Sequence, residues 1–308
     1  MTIAIAASGS RAGQAVCDAL LGAELLGRGA IGGFTVLAIL DDDGQLHQCS
    51  SQRGGVSSLD VPDAWLAARV AAAISSGPDR PEPLVQFLPG AARVGLVTGH
   101  RLPNRPGRDG RALNTAVLSL LARGIEPKTA VESVLADNPE ADAGLIAING
   151  RGDVGWGNSE RVARRTDLGR FERHDGSSHI AILHNAIHAH EPLAAQVGAL
   201  AWAQLTDRPG PVGWIRLTEA VPRRLAAQDR VHIDASGRIT AIDCADSFVP
   251  KGPLRMTVVH LGCAVWRHGT CVGQAITELF ADVGDDLAKP WGDAVHHTLL
   301  MRTNHVAS

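Results

Sequence analysis

A strand, a tight turn, a helix and a hairpin follow one another in this chain, and then the series recurs. A unit of this kind cannot bury its apolar face alone, so its recurrence constrains the fold more than any single motif does. Residues 2–8, TIAIAAS, read as a short apolar strand. They lead through Ser8-Gly9-Ser10-Arg11 into a helix whose apolar positions, Ala12, Ala15, Val16, Ala19, Leu20, Ala23 and Leu26, have helical spacing. Gly29, Gly32 and Gly33 end that segment, and a strand over 34–40 meets Asp41-Asp42-Asp43-Gly44 and returns to about Ser50. Asp-Gly between two apolar runs is a hairpin signal.

The second copy opens with a strand over 93–97, turns through Thr98-Gly99-His100-Arg101, and forms a helix on Leu113, Ala116, Val117, Leu120 and Leu121. Pro127 opens a further helix, because its missing N–H costs nothing in a first turn, and Asn138-Pro139 closes it. A hairpin over 145–156 follows, turning at Asn149-Gly150-Arg151-Gly152. A third, weaker copy runs from a strand over 179–183 through His184-Asn185 to a helix after Glu191-Pro192 on Leu193, Val197, Leu200 and Ala201. It continues with a strand over 212–217, a helix over about 218–227 and a hairpin over 231–242. A partial fourth has a strand over 256–261, Gly262-Cys263 and a helix over about 274–280. Residues 56–90 predict a helix followed by a surface loop.

About ten strands interleaved with helices fit an α+β chain, an αββα-type sandwich of two mostly antiparallel sheets flanked by helices. A doubly wound sheet fits less well, since each unit holds a hairpin and no glycine-rich dinucleotide fingerprint follows a strand. The expected organisation is one domain over 1–281, with units at 1–55, 92–160, 178–245 and a partial 254–281, and a C-terminal tail over 282–308.

Net charge is −3 in 308 residues, which argues against a protein that binds nucleic acid through a basic face. No apolar stretch reaches 18 residues, so no membrane span is expected, and MTIAIAASGSR lacks the basic start of a signal peptide. The five cysteines (Cys17, Cys49, Cys244, Cys263 and Cys271) include no C-x-x-C pair, so neither a zinc ribbon nor a disulfide framework is expected and the cytoplasm is the default location. Only Lys128, Lys251 and Lys289 among the 29 basic residues are lysine, so a cationic clamp here would be arginine. The apolar helices suggest a homo-oligomer.

Residues 97–163, with VTGHRLPN, ALNTAVLSLLARGIEPKTAVESVL, AGLIAINGRGDVGWGN and SERVA, resemble part of the plant-type asparaginases and isoaspartyl peptidases. In that family a Thr-Gly turn opens a helix and a Gly-Gly-Leu-Ile-Ala hairpin follows. Residues 28–55, GAIGGFTVLAILDDDGQLHQCSSQRGG within them, are faintly similar to the family's nucleophile hairpin. The resemblance implies an N-terminal-nucleophile hydrolase fold and amidase chemistry. Where the family has its self-cleaving Gly-Thr, this chain has Gly29-Ala30 or Gly33-Phe34, and neither Ala nor Phe is a nucleophile.

The turns Ser8-Gly9-Ser10-Arg11 and Thr98-Gly99-His100-Arg101 share the pattern [Ser/Thr]-Gly-x-Arg. Gly lets the backbone approach a ligand, a helix start attracts anions, and Arg offers a bidentate fork for a carboxylate. The plainer account is that Ser and Thr cap helices while Gly makes the turn. His184-Asn185 starts the densest polar cluster: His184, His188 or His100 can move protons, and Asn185 can donate to an oxyanion. A divalent metal on His184, His188 and His190 is an alternative without an H-E-x-x-H pattern, and satisfied structural histidines are the plain one. Removal of Met1 would leave Thr2 with a free α-amine able to act as its own base; otherwise Thr2 is the second residue of an ordinary chain. Cys17 and Cys263 read as buried small residues.

The expected function is hydrolysis of an amide or cyclic amide in a small, polar, anionic substrate, with no cofactor and no metal. Arg11 and Arg101, with Gly9 and Gly99, would hold the substrate. Thr98 or Ser8 would attack or position water, and His184 or His100, beside Asn185, would transfer protons. The alternatives are a non-catalytic metabolite-binding protein of the same fold and a metal-dependent hydrolase. Each of these readings requires residues 8–11, 98–101 and 184–185 to line one cavity.

Overall fold

The computed structural model describes residues 1–27, 30–246, 254–292 and 296–304. They divide into two compact units, Met1–Arg208 and Pro209–Ser308, so the single domain expected over 1–281 crosses a boundary. In chain order the first unit begins with β1 (Thr2–Ser8), α1 (Ala12–Leu26), β2 (Phe34–Leu40), β3 (Leu46–Gln52), the short α2 (Asp63–Leu66), β4 (Val70–Ser76), β5 (Gly90–Ala91) and β6 (Gly95–Arg101). It continues with α3 (Leu113–Ala122), α4 (Pro127–Asp137), β7 (Ala143–Asn149), β8 (Val154–Asn158), the short α5 (Glu160–Ala163), β9 (Leu168–His174), β10 (His179–Asn185) and α6 (Leu193–Thr206).

Local chemistry accounts for these elements. β1 is apolar from Ile3 to Ala7, the pattern of a strand buried on both faces. The β2–β3 hairpin closes where Asp41 Oδ1 accepts the N–H groups of Asp43 and Gln45 and Gly44 takes a left-handed φ of 75°. Pro127 opens α4 as expected.

The strands form a six-stranded sheet, ordered β3-β2-β4-β1-β10-β9, and a four-stranded sheet, β5-β6-β7-β8. Every pairing described in the two sheets is antiparallel. α1 and α6 pack on each other, α1 against β1 and β4, α6 against β9 and β10. On the other face Ala4, Ala6, Val36 and Ile74 meet Leu96, Ile146 and Ile148 of the second sheet. That sheet turns Val97, Leu145 and Ala147 toward Val117 of α3 and Val131 of α4. Because strand side chains alternate, each position's parity states whether it looks toward the helices or toward the other sheet.

Two departures within this unit matter for the site. Residues 70–76, expected within a helix and loop, are the buried strand β4. The run VAAAISS is rich in alanine, which favours helix intrinsically, and a strand buried on both faces shows no alternation to betray it. Thr98-Gly99-His100 and His184-Asn185 are also not turns: both lie inside strands, at the ends of β6 and β10.

The second unit has β11 (Val212–Arg216), β12 (Val221–Leu225), β13 (Arg230–Ile233), β14 (Ile239–Cys244) and β15 (Leu254–Val259). After these come β16 (Ala264–Arg267), β17 (Thr270–Ala275), β18 (Leu279–Gly284), β19 (Leu287–Lys289) and β20 (Thr298–Thr303). All join one ten-stranded sheet in the order β11-β20-β17-β16-β13-β14-β12-β19-β18-β15. Its described residues contain no helix. The helices expected over 218–227 and 274–280 are strands, because β12 and β18 bury alternate residues and Pro222 interrupts the first of them. The expected tail carries β20, paired between β11 and β17, so it is an integral part of the sheet. Among the described residues no helix is long and apolar enough to cross a membrane.

Candidate functional site

β1 runs between β4 and β10, and its first residue, Thr2, lies directly opposite Ser76 on one side and Asn185 on the other. Direct partners in an antiparallel pair share a face. Thr2, Ser76 and Asn185 therefore all look toward the second sheet.

From that sheet His100 reaches them. Its Nδ1 lies 3.2 Å from Asn185 Oδ1 and its Nε2 lies 2.7 Å from Asn158 Oδ1. His100 is opposite Gly144, which is opposite Asn158, so the ring crosses above a residue without a side chain. A Cβ on Gly144 would collide with both the His100 ring and the Asn158 amide. Burial pushes the His100 pKa below its usual value, against the opposing pull of the Asn158 and Asn185 hydrogen bonds. A neutral imidazole has one N–H, so one of the two amides turns its NH2 toward the ring.

Thr2 is 2% exposed, with Oγ1 3.4 Å from Ser76 Oγ. The carbonyl that precedes it, Met1 C=O, accepts from Ser76 Oγ at 2.7 Å and from the Gly77 N–H at 3.4 Å. Two donors converging on one acyl oxygen are the arrangement that stabilises a tetrahedral oxyanion. Arg80 Nη2 donates to Ser76 Oγ at 3.1 Å, which leaves the serine's own hydrogen for the carbonyl. Burial lowers the Arg80 pKa, and among the described residues no carboxylate pairs with it. The Met1 α-amine pKa is also lowered, by burial first and then by Arg80 and Arg101, while Asp167 opposes.

Some of the residues singled out in the sequence meet here, and others do not. His100 and Asn185 belong to the site. Thr98 is fully buried and its hydroxyl donates to Ala73 C=O at 3.0 Å, so it ties one sheet to the other and is not available to attack a substrate. Gly99 faces Gly144 C=O and Pro103, where a Cβ has no room, so its missing side chain serves the packing of β6 on β7. The fork of Arg101, expected on the substrate, is engaged by Asp142 through Nε to Oδ1 and Nη2 to Oδ2.

Ser8, Gly9 and Arg11 are at the opposite end. Ser8 pairs with His179, six positions along β1 from Thr2, which is about 20 Å of strand. Its hydroxyl donates to Gly152 C=O at 2.7 Å, and Ser8 and Gly9 line a polar cavity of about 460 Å³ with Arg69, Arg151, Glu172 and His179. The single cavity expected for residues 8–11, 98–101 and 184–185 is therefore two separate places.

His184 points the other way from Asn185. It is opposite Ile3, on the helix side of the sheet, and lines a pocket with His188 and His190. Burial, with His100 and His188 nearby, pushes its pKa down to about 4. Among the described residues no three of His, Cys, Asp or Glu are grouped so as to hold a metal ion. Burial raises the thiols of Cys17 to about 12 and of Cys263 to about 11, which keeps both un-ionised and poorly nucleophilic. Of the two positions aligned with the resembled family's nucleophile, Ala30 is a half-buried residue whose N–H donates to Gly27 C=O at 3.1 Å, and Phe34 is a buried ring packed 5.0 Å from Phe87.

Sequence reasoning missed Ser76, Gly77, Arg80 and Asn158. Ser76-Gly77 repeats the [Ser/Thr]-Gly pairing of the two flagged turns, and that signal was available. Residues 2–214 match a family model described as Domain of unknown function (DUF6963). Residues 220–290 match one described as Domain of unknown function (DUF7259). No curated protein matches the chain.

Proposed function

The chain belongs to the DUF6963 family, and we propose that its first unit is an αββα sandwich that hydrolyses an amide bond in a small, polar, anionic molecule. In this reading Thr2 is the nucleophile once the Met1–Thr2 bond has been cut. The carrying observation is that the acyl carbonyl next to Thr2 already sits on two donors, Ser76 Oγ–H and Gly77 N–H.

The freed α-amine of Thr2 takes the proton from Oγ1 as the oxygen attacks the substrate carbonyl. Burial and the nearby arginines, which lower the amine pKa at Met1, would act on the Thr2 amine in the same sense and keep it a free base near neutral pH. The carbonyl oxygen becomes an oxyanion between Ser76 and Gly77. The ammonium then returns its proton to the leaving nitrogen, the C–N bond breaks, and an ester on Thr2 remains. Water, deprotonated by the same amine, cleaves the ester and restores Thr2.

Arg80 takes the role expected of Arg11 and Arg101. It is a half-buried cation with no carboxylate partner among the described residues, next to the acyl position, and this supports an anionic substrate. The amide held by His100 lies on the register line of Thr2, where it can orient the bound group.

Intact-mass analysis and acylation test the reading together. The purified protein should begin at Thr2, and an activated ester such as p-nitrophenyl acetate should add one acetyl group, released on standing. Thr2→Ala should abolish the adduct. Protein that retains Met1 in full, or acetylation unchanged in Thr2→Ala, rejects the proposal.

A further inference from the structure

The hydrolytic reading leaves His184 and the pocket around it unused. That pocket, about 560 Å³, lies between the start of β9, the end of β10 and the first turn of α6. It is on the helix side of the six-stranded sheet, because His184 pairs with Ile3 while Thr2 and Asn185 face the other way. It is therefore a separate site.

His184 is 6% exposed, and neither ring nitrogen has a hydrogen-bond partner. A buried imidazole in that condition is an unmet demand for one acceptor and one donor. The ring crosses above Gly169, where a Cβ would strike it, so the fold makes room for the side chain without giving it a partner.

The second observation is independent of the first. α6 is a 14-residue helix that begins behind Pro192 with no side-chain cap and no acidic residue in its first turn. Its first closure is the Gln196 N–H to Pro192 C=O, at 3.3 Å. The N–H groups of Leu193, Ala194 and Ala195, which line the same pocket, precede that closure and have no carbonyl within the helix. An uncapped helix start attracts anions through these groups and through its dipole.

Both carboxylates that line the pocket have partners. Asp167 is held by the fork of Arg165, and Glu191 accepts from Gln196 Nε2. Arg170 shares the face of Leu183 and lies over Trp156 of the second sheet, so its guanidinium is directed away from this pocket.

We propose that this pocket binds a small oxyanion, the terminal phosphate or carboxylate of a metabolite, between the α6 N-terminus and His184. The α6 N–H groups take one oxygen and the imidazole N–H another.

Thermal unfolding of the full chain in phosphate-free buffer tests this, titrated with inorganic phosphate or with succinate against sodium chloride of equal ionic strength. A saturable rise in the midpoint of the helical signal is expected with at least one of the two. The stronger response assigns the ligand as a phosphoryl or a carboxylate group. Ala195→Asp puts a carboxylate into the first turn, which favours the helix while competing with the ligand, and should weaken binding by about tenfold or more. His184→Ala should weaken it comparably. No saturable rise beyond that of chloride, or unchanged affinity in Ala195→Asp, overturns the proposal. Neither variant touches Thr2, so acetylation at Thr2 should persist in both, and loss of one activity will not be mistaken for loss of the other.

Discussion

Acid should loosen the first unit well before its carboxylates titrate, and His184 should carry much of the effect. The imidazole is buried without partners, and its pKa falls from 6.5 to about 4 on folding. Between those values the unfolded chain binds a proton that the folded chain refuses, so stability falls as pH falls through this window. Each pKa unit is worth about 1.4 kcal/mol, which gives a loss of about 2 kcal/mol by pH 5 and about 3 kcal/mol by pH 4. His100, also pushed down by burial, adds in the same direction. Asp142, held low by Arg101, and Asp153, held low by Asn149, give up their contributions only below the usual carboxylate range, so they do not account for a loss above pH 5. All described helices lie in the first unit, and circular dichroism in the helical band therefore reports on it within the intact protein. Urea midpoints at pH 7 and pH 5 should fall apart in the wild type and draw together by about 2 kcal/mol in His184→Gln, whose amide does not titrate. An equal pH dependence in the two proteins would refute the assignment.

Three further outcomes follow from contacts in the first unit. Gly144→Ala drives a methyl group into His100 and Asn158 and should cost about 2–4 kcal/mol in urea unfolding, but clearly less in a His100→Ala background, where the ring has gone and the Asn158 amide is free to swing aside. Thr98→Val removes the hydroxyl bond to Ala73 and should cost about 1–2 kcal/mol, while the rate of Thr2 acetylation stays within about twofold of wild type. Arg80→Gln should reduce the preference for a carboxylate-bearing ester over a neutral one by about tenfold, read as the ratio of acylation rates.

The parts of the fold written in local pattern were legible: β1, α1, the Asp-Gly hairpin and α4 behind Pro127 all lie where spacing and turn chemistry put them. β4 was not, because alanine hides a strand that has no exposed face. The repeated arginine was misleading for a conformational reason. Arg11 and Arg101 both take left-handed φ values, 57° and 65°, where the chain leaves a strand, so what their common offset shares is a turn of the backbone. The site itself depends on register. Thr2, Ser76, His100, Asn158 and Asn185 are far apart in sequence, and only the pairing of six strands in two sheets, with the packing of one sheet on the other, places them together. No local spacing encodes that, although Ser76-Gly77 was there to be noticed.

The hydroxyls of Thr98 and Ser8 have a mechanical consequence. Thr98 to Ala73, and Ser8 to Gly152 at the far end, are rivets joining layers whose hydrogen-bond ladders are otherwise independent. Slippage of one layer over the other by a single residue is about 3.4 Å, more than the length of either contact that His100 makes. The rivets hold the layers against shear, and the alignment of the distant bridge is accurate because of where they are driven in.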